Sequence, residues 1–468
     1  MNHDFAAIRA EFDLPSLADT DDFPGEAETE AKEIADLRPE GVDDATDIPF
    51  VTIDPPGAKD LDQAMFLERV GEGFRVHYAI ADLGAVIKPG GAVDTEARRR
   101  GQTVYLPDSR VPLHPPVLSE GALSLLPDQV RRAAVWTIDV DSTGVATSTT
   151  VRRALVKSIA QFDYDGVQAT FGANNPHKSV EPLADLGALR LKHRVGLGAI
   201  ELGLPEQEIV PDGDGWKIVM RVRTDVDAWN AEISLLTGMA AAELMLKAGI
   251  GVLRTLPMPE DGALGKFQRA AQALGVPWPE GATAGEILAG LDPTQPISQA
   301  LMSDATRLLR GAGYEAFDGT QPKVMQHAGI GGPYAHVTAP LRRLADRFGT
   351  EVSLAICAGT PVPDWVKQAL PLLPAIMRES DQFASKVDRT SLDQVEAWML
   401  DGKVGQTFDA FVLRVNNDRK SGEVVLNSPP VISDCAGANL PEGKKVQVRL
   451  TAVDTVRRSV AFVVADAT

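Results

Sequence analysis

The sequence predicts a mixed α+β domain followed by a small all-β barrel. Three observations support this order: strand-like alternation near residues 50–80 and 135–156, helical spacing through the middle of the chain, and short alternating runs beyond residue 402. With 468 residues and 44% hydrophobic content, the chain is long enough to bury a large core and to form two or more domains.

The first element is an acidic segment, residues 1–47, which is predicted to form short helices and a linker. Phe5, Ile8 and Phe12 have helical spacing, and fifteen acidic side chains stand against three basic ones, a net charge of −12. The whole chain carries −19, so much of the acidity lies here. Net charge alone argues against a nucleic-acid protein. A cleft elsewhere can still be locally basic, because it focuses the field of its own lining residues.

Residues 48–395 are predicted to form the α+β domain. Strand-like alternation occurs at residues 50–53, 74–80, 135–140 and 151–156. Helical patterns occur at residues 229–253, within 265–311, and at 342–358. Small and apolar residues around Gly238 indicate that the first of these helices is central and tightly packed.

Residues 401–468 are predicted to form the barrel. Short alternating runs separated by turns occur at residues 408–415, 422–426, 445–450 and 459–464. Several short strands in so short a stretch are typical of the OB-fold, a small barrel that binds oligonucleotides. Nine basic against eight acidic side chains make this part less acidic than the chain as a whole.

No membrane span is expected. The most apolar long stretch, residues 233–250, is interrupted by Glu243 and Lys247, and no charged-then-apolar leader opens the chain. Cys357 and Cys435 lack the paired spacing of a disulfide framework or a zinc site. We therefore expect a cytoplasmic protein without a membrane partner, and a monomer is the default.

The strongest local signal is an acidic cluster at residues 52–64, TIDPPGAKDLDQA. A strand runs into a Pro-Pro-Gly turn, and Asp54, Asp60 and Asp62 lie within nine residues. Converging carboxylates repel one another unless a cation lies between them, and Mg²⁺ takes a few carboxylates while leaving positions for phosphate oxygens. On spacing alone, solvated turn residues are the commoner explanation. Calcium is a weaker rival, because the EF-hand pattern is missing.

A second cluster, residues 334–346, contains Tyr334, Pro340, Arg342 and Arg343. Pro340 suits the first position of a helix, which would place both arginines in the first turn, where the helix dipole disfavours cations. Helix N-terminal amides combined with two arginines would form a phosphate-binding arrangement. A surface ion pair, for example with Asp346, explains the same residues equally well.

In this order and at this separation, the two clusters resemble the start and end of the catalytic domain of the RNase II and RNase R exoribonucleases, the RNB domain. Other segments resemble the family as well, namely 98–126 with GQTVYLP, 151–164, 229–233 with WNAEI, and 327–331 with HAGIG. Residues 401–468 resemble the RNA-binding OB-fold of the ribosomal-protein S-one type that follows this domain in the family. The resemblance implies an α+β RNB catalytic domain with a C-terminal OB-fold barrel.

The resemblance also implies a function: hydrolytic 3′→5′ degradation of single-stranded RNA to nucleoside 5′-monophosphates. In the family pattern, Asp54, Asp60 and Asp62 would hold magnesium at the scissile phosphate, with manganese as the alternative ion. Arg342 would steady the phosphate, with Arg343 in support.

Three further residues would contact the RNA. Tyr105 matches a family aromatic that packs against bases near the 3′ end, which suits a grip independent of sequence because every base has a stackable face. A core tyrosine in a strand is the plain alternative. Glu232 matches an acidic position near the terminal nucleotide, and Tyr334 completes the predicted RNA-binding set.

The sequence departs from the family pattern at two places. The family motif ends in adjacent aspartates, whereas Gln63 follows Asp62 here, so a neutral amide stands at one expected metal-ligand position. Its oxygen can still ligate a metal, and we expect weaker binding of one ion or a preference for manganese. At the N-terminus, the acidic segment stands where family members usually carry two cold-shock OB domains. A more open channel entrance is the expectation.

Two other functions stay open. A catalytically impaired RNA-binding protein on the same fold would explain Gln63, although retention of three aspartates together with Arg342 argues against it. A metallohydrolase acting on small phosphorylated molecules would explain both clusters but would leave the C-terminal barrel without a purpose.

Overall fold

The computed structural model describes residues 3–19, 22–38, 42–416, 418–438 and 440–465. Within these ranges the chain forms an N-terminal helical segment, a mixed α/β domain and a C-terminal five-stranded barrel. The predicted fold class is therefore confirmed. Among the described residues, none of the helices combines the length and the apolar character needed to cross a membrane.

The N-terminal segment packs onto the rest of the chain through two helices, α1 (Ala6–Glu11) and α2 (Gly25–Ala35). Phe5 and Ile8 are buried, as their spacing predicts. Helix α2 buries three residues, Ala27, Ala31 and Ile34, in a small core that it shares with residues of the α/β domain such as Leu83 and Leu341. The acidic segment is thus held in place by its few apolar side chains.

A six-stranded sheet forms the centre of the α/β domain. The first eight strands of the chain are β1 (Asp43–Asp44), β2 (Phe50–Ile53), β3 (Gln63–Val70), β4 (Gly73–Ala81), β5 (Val104–Leu106), β6 (Ser109–Val111), β7 (Val130–Val140) and β8 (Ala146–Phe162). All except β5 and β6 join this sheet in the order β1-β8-β2-β3-β4-β7, and β7 also pairs with the long strand β8. Strands β5 and β6 form a separate hairpin. All four predicted strands of this domain are present.

Helices pack around this sheet and beside it. They are α3 (Ala92–Arg100), α4 (Tyr164–Gly172), α5 (Leu183–Gly196), α6 (Asp225–Ala248), α7 (Asp261–Ala273), α8 (Ala284–Ala289), α9 (Pro296–Ala305), α10 (Leu344–Ala358), α11 (Asp364–Ala369) and α12 (Leu373–Leu400). Two small antiparallel pairs lie among them, β9 (Glu206–Asp212) with β10 (Gly215–Arg221) and β11 (Ile250–Thr255) with β12 (Gly313–Asp318). Most of these helices meet the sheet in one large core, whereas α7, α8 and α9 form a separate core.

Three predicted helix boundaries are wrong. The central helix α6 begins at Asp225 rather than residue 229, because Thr224 and Asp227 form a capping box there. The central helix α6 ends at Ala248 rather than residue 253, because Gly249 adopts a left-handed conformation (φ 74°) and the chain then pairs as β11. Helix α10 begins at Leu344 rather than Arg342, because Arg343 is extended and pairs with Gln102.

The C-terminal barrel has five strands, β13 (Thr407–Asn416), β14 (Ser421–Leu426), β15 (Ile432–Ala436), β16 (Lys445–Asp454) and β17 (Ser459–Val464). It closes in the order β13-β14-β15-β17-β16, which confirms the predicted barrel. Strand β15 was not predicted, because Cys435 is its one fully buried residue and clear alternation is missing. Leu400, the last residue of α12, is buried in the barrel core and links the two domains.

Glu396 of α12 lies at this junction. Its Oε1 accepts hydrogen bonds from Gln207 Nε2 (3.1 Å) and from the Ile432 N–H of the barrel (3.3 Å). Burial raises the pKa of this carboxyl from its usual 4.5 to about 7.

We predict that Glu396→Gln stabilises the protein more at pH 8 than at pH 5. The pKa of Glu396 is higher in the folded than in the unfolded state, so its contribution to the free energy of unfolding is greatest below pH 4.5. The wild type loses up to about 3 kcal/mol of this free energy as the pH rises from 4.5 through 7. The amide keeps the acceptor oxygen and lacks the charge. Thermal unfolding at the two pH values measures the effect, with exposed Glu72→Gln as the matched control. An equal gain at both pH values would contradict the prediction.

Candidate active site

The predicted acidic cluster lies in the loop that joins β2 to β3. Asp54 follows β2 directly, and its N–H donates to the Phe162 carbonyl of the neighbouring strand (3.0 Å). Asp54 Oδ2 is buried and has no hydrogen-bond partner among the described residues. Asp62 ends the loop, is 4% exposed, and accepts a hydrogen bond from the Leu341 N–H (2.7 Å). Sheet pairing on one side and the Leu341 segment on the other thus fix both ends of the loop.

The carboxylates of this loop act on one another. Burial raises the pKa of Asp54 to about 6 and that of Asp62 to about 8. The charge of Asp60 raises both values further, whereas the charge of Arg342 opposes the rise. Asp60 itself forms an ion pair with Arg110 (3.1 Å). The three carboxylates of the loop therefore have only two cationic partners, Arg110 and Arg342, among the ion pairs of the described residues.

Arg342 and Arg343 take different roles in the structure. Arg342 lies in a turn in which its N–H donates to the Ala339 carbonyl (3.2 Å), and its own carbonyl accepts from the Thr103 N–H (3.0 Å). Arg343 is extended and pairs with Gln102. The prediction that both arginines lie in the first turn of a helix is therefore wrong. The guanidinium of Arg343 forms two hydrogen bonds of 2.9 Å with buried Asp346, the ion pair considered above. Arg342 is 47% exposed, with its Nε 3.5 Å from Asp62 Oδ2, and stays available to a ligand.

Gln63 lies next to the acidic loop, at the start of β3. Its Oε1 accepts hydrogen bonds from the hydroxyls of Tyr78 and Ser234, the latter at 3.1 Å. The same two hydroxyls lie 2.8 Å apart. The amide oxygen is thus engaged by the protein itself.

A cavity of about 690 Å³ lies elsewhere, beside α3, and a cavity of about 600 Å³ lies next to the acidic loop. The three aspartates are not among the residues that line the second cavity. Its walls include Gln63, Tyr334, Arg342 and Arg343. Charged and aromatic residues that sequence reasoning did not select also line it, namely Tyr164, Arg194, Glu201, Arg221, Arg223 and Asp227. The cavity therefore offers both charges and aromatic surface to a ligand.

The remaining predicted RNA-binding residues lie around this site. Tyr105 of β5 is 49% exposed, and the charges of Arg342, Asp60 and Asp62 influence its pKa, which burial raises. The partner of Tyr105 in the β5–β6 register is Arg110. Tyr105 is thus a surface aromatic beside the carboxylates rather than a core tyrosine.

Glu232 and Tyr334 are both buried. Glu232 is 2% exposed and forms an ion pair with Arg194, whose Nε lies 2.9 Å from each carboxylate oxygen. The ring of Tyr334 makes edge contacts with His327 and His336 and lines the cavity. Glu232 therefore supports the cavity wall through Arg194.

Sequence reasoning also missed Arg110, the partner of Asp60. Pro and Asp favour turns, and a turn at Pro107–Asp108 between two short strands would have placed Arg110 opposite Tyr105. The pairing with Asp60, fifty residues away in sequence, carries no local signal.

A metal ion fits the chemistry of these donors in part. Among the described residues, no group of three or more His, Cys, Asp and Glu side chains is gathered closely enough to hold a metal as it stands. The unpartnered, buried Oδ2 of Asp54 and the desolvated carboxylate of Asp62 are, however, hard oxygen donors of the kind that magnesium prefers.

The fold and the site define a mixed α/β domain with a carboxylate and arginine cluster, followed by a five-stranded barrel. The RNB domain family matches residues 42–348, and the family described as the RNase II-type exonuclease C-terminal S1 domain matches residues 406–465. Because the first match covers well over half of the chain, this protein belongs to the RNB family of RNase II and RNase R exoribonucleases.

Curated relatives agree with this assignment. Ribonuclease R of Escherichia coli (strain K12) is 29% identical over 333 residues, which cover 67% of this chain and 40% of the relative. Ribonuclease R of Mycoplasma genitalium is 26% identical over 404 residues, which cover 80% of this chain and 54% of the relative. The chain thus spans about half or less of the length of these relatives.

Solved structures share the fold. Mycoplasma genitalium RNase R in complex with ribose methylated single-stranded RNA aligns with a TM-score of 0.85 at 19% identity, covering 98% of this chain and 77% of that one. Yeast Ssd1, a pseudonuclease, aligns with a TM-score of 0.71 at 18% identity, covering 92% and 54%. One fold is therefore common to a ribonuclease and a pseudonuclease, so activity has to be argued from side chains.

Gly238 of α6 packs against Tyr334 and Ala335, in the segment that leads to Arg342. A Cβ at Gly238 would overlap the Tyr334 ring and lie 2.6 Å from the Ala335 carbonyl. We predict that Gly238→Ala destabilises the fold by about 1–3 kcal/mol, because the backbone that leads to Arg342 must move. Chemical unfolding measures this loss. Gly262→Ala in α7, with no atom within 4 Å of the new Cβ, is the matched control and should be neutral or stabilising. Equal effects of the two changes would contradict the prediction.

Proposed function

We propose that this protein is a magnesium-dependent exoribonuclease that shortens single-stranded RNA from its 3′ end and releases nucleoside 5′-monophosphates. The observation that carries the proposal is the approach of the exposed Arg342 to within 3.5 Å of Asp62, in a loop that also holds Asp54 and Asp60, in a chain of the RNB family. Hydrolysis of a phosphodiester needs such groups, since charge develops on the phosphate oxygens.

Asp54, Asp62 and, once released from Arg110, Asp60 are the residues that would hold the metal. A bound magnesium ion supplies positive charge at the phosphate and makes a water more acidic, and manganese is the alternative ion. Asp62 is oriented for this by the Leu341 N–H, which occupies its Oδ1. Arg342 would bind a non-bridging phosphate oxygen and stabilise its charge.

The surrounding residues would hold the RNA. Tyr105, exposed beside the carboxylates, would stack on a base, which is independent of sequence. Tyr334 and the arginine-lined cavity would receive the terminal nucleotide, with Glu232 acting through Arg194. A single strand as substrate is in keeping with the RNase R structure that contains single-stranded RNA.

The alternative is an RNA-binding protein on the same fold that has lost most of its nuclease activity. Two observations favour it: Gln63 offers an amide oxygen already engaged by Tyr78 and Ser234, and Arg110 occupies Asp60. The unpartnered Asp54 oxygen favours the enzyme, because a buried acceptor without a partner costs stability unless a ligand uses it.

Digestion of a 5′-labelled single-stranded RNA tests the proposal. With magnesium or manganese, we expect a ladder that shortens to a small 5′ fragment, and no cleavage with chelator. Asp62→Asn should abolish cleavage and leave RNA binding unchanged, because the change removes a metal-facing charge and keeps the shape. Asp261→Asn, at an exposed site on α7, is the matched control. Intact RNA with every metal, together with a gel shift, would favour the RNA-binding alternative.

Gln63→Glu tests the neutral amide. A glutamate keeps the two hydroxyl donors and adds a negative charge beside the acidic loop, so we predict that the magnesium concentration for half-maximal cleavage falls about tenfold. Gln168→Glu is the control, since Gln168 Oε1 also accepts a hydrogen bond, from Val226 N–H. An unchanged or higher magnesium requirement in Gln63→Glu would count against a metal beside residue 63.

A further inference from the structure

The β5–β6 hairpin presents two residues to the carboxylate loop. Tyr105 and Arg110 face each other in its register. Tyr105 is half-exposed there, and Arg110 bridges Asp60 (3.1 Å) and Glu120. Any shift of the hairpin would therefore move a residue proposed to contact RNA and the partner of a proposed metal ligand together.

The hairpin cannot hold this position by itself. Each strand has three residues, and neither joins the six-stranded sheet. An isolated two-stranded hairpin is at best marginally stable in water. Its position must depend on what packs behind it.

The N-terminal helix α1 supplies part of that support. Side chains alternate along a strand, so Val104, Leu106 and Val111 lie on the face opposite Tyr105 and Arg110. These three residues share a small core with Phe5 and Ile8 of the N-terminal segment and with residues of α12. Without α1, the back of the hairpin would lose part of its apolar contact.

Arg9 of α1 joins the two elements by charge. Its side chain is 6% exposed, and its guanidinium binds both carboxylate oxygens of Asp108 in the hairpin turn, at 3.1 and 2.5 Å, and also Ser109 Oγ. Asp108 is itself 13% exposed. A bidentate pair removed from water fixes orientation, and loss of one partner leaves a charge poorly solvated.

We propose that the N-terminal residues 3–14 are a positioning element for the active-site hairpin, with Arg9 as the positioning residue. The acidic segment, residues 1–47, thus contacts the hairpin turn through Arg9, one of its three basic residues. The effect on cleavage rests on the proposed function, whereas the effect on the hairpin itself does not.

The test compares Arg9→Ala and Arg9→Lys with Glu11→Gln in the full chain. Glu11 lies on the same helix and pairs with Arg458 of the barrel, so its variant is the matched control for a general loosening of the segment. Hydrogen–deuterium exchange should be faster at residues 104–111 in Arg9→Ala, at wild-type rate in Glu11→Gln, and intermediate in Arg9→Lys. The KM for a short single-stranded RNA should rise about five- to tenfold in Arg9→Ala, with a smaller change in kcat, because stacking on Tyr105 is weakened.

A double variant checks that Arg9 acts through Asp108. Arg9→Ala combined with Asp108→Ala should raise KM no further than Arg9→Ala alone, because both changes remove the same interaction. If the double variant fails to fold, Asp108→Asn, which keeps the turn, is used in place of Asp108→Ala. Unchanged exchange at residues 104–111 in Arg9→Ala, or an equal rise of KM in Glu11→Gln, would overturn the inference. Absence of cleavage by the wild type would refute the proposed function, and the exchange rates would still decide the role of Arg9.

Discussion

The hydrogen bond from the Leu341 N–H to Asp62 Oδ1, 2.7 Å long, joins parts of the chain that lie 279 residues apart. It fixes the end of the acidic loop and brings Arg342 Nε to 3.5 Å from the other oxygen of the same carboxylate. Asp62 is 4% exposed, so its charge depends on these partners rather than on water. The two sequence clusters become one site because this backbone donor and this carboxylate meet.

Burial has different consequences at the site and in the surrounding wall. Glu232 is as buried as Asp62, but Arg194 neutralises it with two contacts of 2.9 Å. Asp54 and Asp62 have no such full ion pair, and burial raises their pKa values to about 6 and about 8. Carboxylates kept partly uncompensated in this way are characteristic of functional sites, because the structure would be more stable without them. This contrast, rather than the count of acidic residues, distinguishes the site.

The sequence allowed prediction wherever the signal is local. Alternation predicted four strands of the six-stranded sheet and four of the five barrel strands. The three aspartates could be found because they lie in one short loop. Contacts across the chain had no such signal: the ion pair of Arg110 with Asp60 and the hydroxyls around Gln63 arise from packing. The helix predicted from Pro340 starts later, because Pro340 opens only a single turn and the pairing of Gln102 with Arg343 keeps Arg343 extended. Tertiary pairing thus overrode local preference.

Gln63 is best understood through the charge of its neighbours. When all are ionised, Asp54, Asp60, Asp62 and Glu120 contribute four negative charges, and Arg110 and Arg342 contribute two positive ones, a net charge of −2. A bound divalent cation would favour this ionised state against the raised pKa values of Asp54 and Asp62, and would make the group neutral. A carboxylate at residue 63 would leave the group at −1 and would repel a phosphodiester unless a second ion were bound. The amide is therefore suited to the proposed function with a single bound ion. The hydroxyls of Tyr78 and Ser234 donate to the amide oxygen of Gln63 and hold this neutral side chain in place.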